Sequence, residues 1–241
     1  MNVKTEALVI RTVRYGDNRL IVDLLTSKEG RMSFMVNVPT SGKARMKKQL
    51  FQPLTSLLVA YDHRMNVRLQ HLRDVAICYP YTTIPFDPSK IALTLFLSEF
   101  LYYATRSEQG EAGLFNYLST ALRWLDVAKE KFANFHLVTT IHLAHYLGFY
   151  PNLHGYRQGC YFDLRSGCFT TVAPLHHDFL DVDDAARMLN IMRINFDNMR
   201  FFRFSHDERN RCLDIILLYY RIHLPEFPEL RSLEVLRQVF D

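Results

Sequence analysis

Up to about residue 80 the chain carries short, strand-like apolar runs, and from there the apolar period changes to that of helices. The chain therefore reads as strands first and helices second. Five short runs rich in branched residues carry the first pattern: 6–13 (EALVIRTV), 20–25 (LIVDLL), 31–38 (RMSFMVNV), 56–61 (SLLVAY) and 67–75 (VRLQHLRDV). In the third run Met32, Phe34 and Val36 alternate with Arg31, Ser33 and Asn37, with Met35 out of step, and the turn before it ends on Gly30, suited to a positive φ. Five strands in about 80 residues with no long helix between them predict a small closed barrel, since closure removes edges that would otherwise need protection. An OB-type barrel is the expected form, and an SH3-like barrel is the competitor that periodicity does not separate from it.

The segment 79–88 (YPYTTIPFDP) holds three prolines and marks a boundary, giving domains at 1–80 and 81–241. Asp87 then Pro88 predicts an N-cap with proline at the first helical position, opening a helix to about Arg106. Further helices are expected near 111–129, 132–147, 181–189 (capped by Asp181), 206–223 and 230–240. Ser205 and Glu208 have the spacing of a capping box. An irregular insert at 151–179 breaks the helical series, and its centre, 160–171, predicts a β-hairpin turning at Arg165-Ser166-Gly167. The fold class is α+β: a five-stranded barrel, then an all-helical domain carrying a small hairpin insert.

With 49% hydrophobic and 22% charged residues, the chain has the composition of a packed protein rather than a disordered one. No run approaches the roughly 20 apolar residues of a membrane span, and no signal-peptide pattern is seen, so a cytoplasmic protein with no membrane partner is expected. Catalytic signatures are missing. Ahead of Gly42-Lys43 the first glycine of a phosphate-binding loop is replaced by Asn37, and Ala44 stands where Ser or Thr would hold magnesium; GxSxG, GxGxxG and HExxH are absent. A non-enzymatic protein is expected.

Two places invite the question of metal ligation. His142 and His145 sit three apart on an expected helix, and the plain reading is two ordinary helix residues. Cys160, Cys168 and His176 or His177 offer three ligands, but structural zinc sites pair ligands two to four residues apart and complete a set of four. No metal and no other cofactor is expected. The four cysteines are expected as free thiols.

Charge is divided unevenly. Residues 1–80 hold thirteen Lys and Arg against six Asp and Glu, a net of +7, whereas the rest hold sixteen against nineteen, a net of −3. One half is thus suited to a polyanion. Arg11, Arg14 and Arg19 flank the first connection, and the loop 39–48 carries Lys43, Arg45, Lys47 and Lys48 with no acid. Cations so gathered bind a phosphate backbone by releasing its counterions. Tyr15, beside Gly16, is the candidate to stack on bases. Phe34, Phe51 and Tyr61 are weighed for the same role, with barrel core as the plain alternative. A second basic–aromatic stretch, Arg200-Phe201-Phe202-Arg203-Phe204, reads as helical core with solvated arginines; Arg200 and Arg203 are also candidates to receive an acidic, apolar peptide from a partner.

The runs Thr5–Arg11, Tyr15–Asp17 and Leu20–Gly30, the loop Gly42–Lys48 followed by Gln52-Pro53-Leu54, and later Leu147–Asn152 and Phe162–Gly167, together resemble the RecO family of bacterial recombination mediators. The resemblance spans the chain. It implies an OB barrel followed by helices, binding of single- and double-stranded DNA, and annealing of complementary strands. It also implies work with RecR and with the C-terminal tail of the single-stranded DNA-binding protein to help load RecA, and so a nucleoid-associated protein. The basic residues it carries over are Arg11, Arg31, Lys43, Arg45, Lys47 and Lys48. Many relatives have a four-cysteine zinc module where this chain retains Cys160 and Cys168, which implies a degenerate, metal-free remnant. An RNA-binding OB-barrel protein and a structural adaptor that binds no nucleic acid are the alternative readings.

Overall fold

The computed structural model describes residues 2–38, 47–106 and 112–239. Five strands form a closed barrel: β1 (Asn2–Arg14), β2 (Arg19–Thr26), β3 (Gly30–Asn37), β4 (Ser56–Asp62) and β5 (Leu69–Tyr79). Around the barrel the order is β1-β2-β3-β5-β4, with β4 returning to β1 and a parallel β3–β5 seam closing it. This is the OB-type arrangement, so the SH3-like alternative falls away. Val9, Val22, Leu24, Phe34, Val36, Phe51, Val59 and Tyr61 fill the interior. Phe34, Phe51 and Tyr61 are thus core residues and not base-stacking platforms; Phe34 meets the edge of Tyr61 at 5.0 Å between ring centroids.

One irregularity governs the barrel's outer surface. The β1–β2 register shifts between Val9 and Arg11, so Ile10 is the extra residue of a bulge. Before the bulge, Ala7 and Val9 point inward; after it Thr12, opposite the interior Val22, takes the inward position. Arg11 is thereby turned outward, opposite Asp23. The Ile10 carbonyl accepts a hydrogen bond from Ser98 Oγ at 2.6 Å, which ties the bulge to the next element.

That element is α1 (Pro88–Ala104), capped as expected by Asp87, which accepts from the Ser89 and Lys90 amides. It is buried around most of its circumference. It ends two residues short of Arg106, where the Thr105 hydroxyl donates to the Leu101 carbonyl. With α2 (Ala112–Val127) it belongs to a compact unit, Met1–Val127; the second unit is Ala128–Asp241. The strand-to-helix change at residue 80 and this division by packing fall at different places, because α1 packs on β1.

A buried acid anchors the start of α1. The Asp126 carboxylate accepts from the amides of Thr82, Thr83 and Ile84 at 2.8–3.0 Å. Lys90, also buried, donates to Thr83 Oγ1 at 2.6 Å and to the Asp126 carbonyl at 3.2 Å. Burial alone would raise the Asp126 carboxyl, but the Thr82, Ile84 and Thr83 amides outweigh it and hold the acid below its ordinary value. Burial lowers Lys90, opposed by Asp87 and Asp126.

The second unit contains α3 (Phe135–Tyr146), a small sheet, α4 (Val182–Arg193), α5 (His206–His223) and α6 (Ser232–Val239). Asp181 caps α4, and Ser205 with Glu208 forms the full capping box of α5. The expected hairpin is present as β6 (Tyr161–Asp163) and β7 (Cys168–Thr170), turning through Gly167 at φ 64°. A further strand, β8 (Phe179–Leu180), pairs with the other side of β6 and makes the sheet three-stranded. Two residues carry too little pattern to announce a strand.

Candidate nucleic-acid interface

The outward row set by the bulge runs from Arg11 on β1 to Asp23 on β2 and Ser33 on β3, with Arg31 two residues from Ser33 on the same face. Tyr102, near the end of α1, meets this row. The Arg11 and Arg31 guanidiniums lie 4.4 and 4.3 Å from its ring centroid, and Arg106 lies 5.7 Å away. Arg31 Nη1 also donates to the Tyr102 carbonyl at 2.6 Å. Asp23 answers part of this charge: Arg31 Nη2 is 3.7 Å from it, and Ser33 Oγ donates to it. Burial would raise the Tyr102 phenol, but Arg11, a hydrogen bond from Arg106, and Arg31 together hold it below its ordinary value. Cation–π contacts of this kind contribute roughly 0.5–2 kcal/mol each and fix flexible guanidiniums in place.

The other expected cations lie outside this row. Arg14 is exposed, donates from Nε to the Gly16 carbonyl at 3.2 Å, and lies 3.8 Å from Asp17. Arg19 is exposed at the start of β2, opposite Asn37. Tyr15 is 53% exposed beside Gly16, whose φ of 72° makes the connection a glycine turn. Lys47 and Lys48 are exposed at the start of a single 3-10 turn, Lys48–Phe51. Lys43 and Arg45 lie outside the described residues. Sequence reasoning misses Tyr102 and Arg106: nothing in a helical period distinguishes a tyrosine that receives arginines from one that packs.

In the second unit, the stretch at 200–204 is not helical core. A 3-10 turn, Met199–Phe201, gives way to extended chain, because Asn134 Nδ2 donates to the Met199 and Phe202 carbonyls. Phe201 is 68% exposed with the Arg200 guanidinium 4.7 Å over its ring, and Arg203 is exposed. Phe202 and Phe204 are half-buried, 5.9 Å apart.

Among the described residues no three His, Cys, Asp or Glu side chains come together as a ligand set. Cys160 is buried, Cys168 is half-buried against Ser166 Oγ at 3.0 Å, and His176 lies 3.5 Å from Asp163. His142 Nε2 is 2.8 Å from the Ile194 carbonyl, and His145 stacks on Tyr150 at 3.4 Å. No described helix is long and apolar enough to cross a membrane.

The fold and site together define an OB-type barrel protein with a cationic outer face and a helical C-terminal region. Comparison with known families narrows this. Residues 1–81 match the family model for Recombination protein O N terminal, and residues 85–234 match that for Recombination protein O C terminal. The chain is 45% identical to a DNA repair protein RecO of Phocaeicola vulgatus over 98% of both chains, and 46% identical to one of Bacteroides fragilis over 99% of both. A DNA repair protein RecO of Flavobacterium psychrophilum is 33% identical over the full length of both. The chain belongs to the RecO family.

Proposed function

We propose that this chain is a DNA repair and homologous recombination mediator that acts without making or breaking a covalent bond. It binds single- and double-stranded DNA, anneals complementary strands, and helps load RecA onto DNA coated by single-stranded DNA-binding protein. Its partners on this reading are RecR and the C-terminal tail of the single-stranded DNA-binding protein, and it works at the nucleoid. Residues 1–80 form the DNA-binding domain and 81–241 the helical domain. The observation that carries the reading is the outward cationic row of the barrel, in a chain that belongs to the RecO family. Arg11, Arg14, Arg19, Arg31, Lys43, Arg45, Lys47 and Lys48 supply the charge, and Tyr15 is the base-stacking candidate. Annealing requires only that two phosphate backbones be screened together while base pairing supplies specificity. Arg200 and Arg203, beside the exposed Phe201, are suited to an acidic, apolar peptide tail.

The test replaces Lys43, Arg45, Lys47 and Lys48 together by glutamate and measures annealing and affinity for single-stranded DNA at low salt. Loss of annealing with a native circular-dichroism spectrum is the expected result. Unchanged DNA affinity in that variant would remove the loop from the interface, and a wild-type affinity indifferent to salt would sink the reading as a whole.

A further inference from the structure

Beside Tyr102 the barrel unit opens a groove of about 380 Å³, lined by Arg31, Met32, Ser33, Val67, Arg68 and Arg106. Its three arginines come from β3, from the connection before β5, and from just beyond α1, so no stretch of sequence displays them together. No acid and no aromatic residue is among the described lining residues, so the groove offers cationic donors and a hydroxyl rather than a stacking surface. Asp23 meets Arg31 from outside that lining, and it is shared with Ser33. Arg31 and Arg106 are both held against the Tyr102 ring, which fixes two of the three guanidiniums at the groove. Guanidiniums held in place can take an anion through charge-assisted hydrogen bonds without first giving up side-chain freedom.

We infer that this groove seats a phosphodiester of a bound nucleic-acid strand, with Arg31, Arg68 and Arg106 as donors and Tyr102 as the residue that positions two of them. The inference deepens the DNA-binding reading above and rests on it. It makes the end of α1 part of the DNA surface and adds Arg68, Tyr102 and Arg106 to the residues named above. An interaction with the phosphate backbone carries no sequence information, so its removal weakens all sequences alike and flattens the dependence on salt.

The experiment titrates fluorescently labelled single-stranded oligonucleotides of two unrelated sequences with the full chain, across a range of potassium chloride concentrations. R68Q and R106Q are each expected to weaken binding about tenfold at low salt, equally for both sequences. The log–log salt slope is expected to become shallower by roughly 0.7 for each guanidinium removed from a phosphate. Arg68 is exposed, so R68Q keeps the test sound should R106Q melt early. Y102L is expected to reduce the slope, and Y102F, which keeps the ring but loses the hydrogen bond from Arg106, to reduce it less. An R68Q/R106Q double variant with the wild-type slope would overturn the inference and leave the DNA-binding reading standing. Failure of the wild type to bind in a salt-dependent way would instead strike that reading itself. Inorganic phosphate that competes for the groove without displacing DNA would also overturn the inference, by assigning the groove to a free anion.

Discussion

Two of the places where arginines meet aromatic rings, residues 200–204 and the surroundings of Tyr102, are built in opposite ways. At 200–204 the residues are neighbours in sequence, yet they spread: Phe201 faces solvent under Arg200, while Phe202 and Phe204 sink halfway into the second unit. Around Tyr102 the residues are up to 95 positions apart, yet Arg11, Arg31 and Arg106 all come within 6 Å of one ring. Adjacency along an extended chain sends side chains to opposite sides, whereas strands held in register put distant residues on one face. The conspicuous motif is the dispersed one, and the inconspicuous residues converge.

The most damaging way to test this contrast is to loosen what holds α1 at the barrel. Asp126→Ala leaves the Thr82–Ile84 amides without their acceptor and weakens the surroundings of buried Lys90. A drop of about 3–5 kcal/mol in urea unfolding is expected. Because the Asp126 carboxyl sits below its unfolded value, the stability it contributes is present above about pH 4 and falls away as pH drops through the lower folded value. The gap between wild type and D126N in urea midpoints should therefore narrow from pH 7 to pH 3; a gap that widens would contradict the assignment. If the Tyr102 cluster depends on α1, D126A should also flatten the salt slope of DNA binding.

Tyr102→Leu comes next. It removes the ring shared by three guanidiniums and should cost about 1–2 kcal/mol in thermal unfolding, with Y102F, which loses only the phenol's hydrogen bonds, costing less. In the second unit, Ser205→Ala breaks the capping box immediately after the 200–204 stretch and should cost about 1 kcal/mol. The smallest effect belongs to Phe201→Ala, within about 0.5 kcal/mol of wild type by the same measurement, since the ring is mostly exposed. Its expected consequence is instead several-fold weaker capture of an acidic, apolar peptide, read by calorimetry. A large drop in stability in F201A would erase the distinction between the two clusters.

Much of the architecture was legible in the sequence because its causes are local. Alternation at Met32, Phe34 and Val36 announces a strand with one buried face; Asp87-Pro88, Asp181 and the Ser205–Glu208 pair announce helix starts through hydrogen bonds spanning three residues or fewer. The charge of the first 80 residues was equally plain. Less was visible at the insert, where β8 contributes only Phe179 and Leu180, and at 200–204, where Asn134, more than sixty residues earlier, sets the turn. The end of α1 was also hidden. Tyr102 and Arg106 fit an ordinary helical period, and only the approach of β1 and β3 gives them their partners.

From the order of its residues alone this chain is committed to strands then helices, to an excess of cations in the strand half, and to the capped starts of α1, α4 and α5. Which way a cation points is another matter. A strict two-residue period would turn Arg11 into the barrel with Val9; the bulge at Ile10, pinned by a serine 88 residues away, sends it outward to Tyr102. Composition and period are properties of neighbours, whereas the direction of a side chain depends on the register between strands, and register is settled only when the barrel closes.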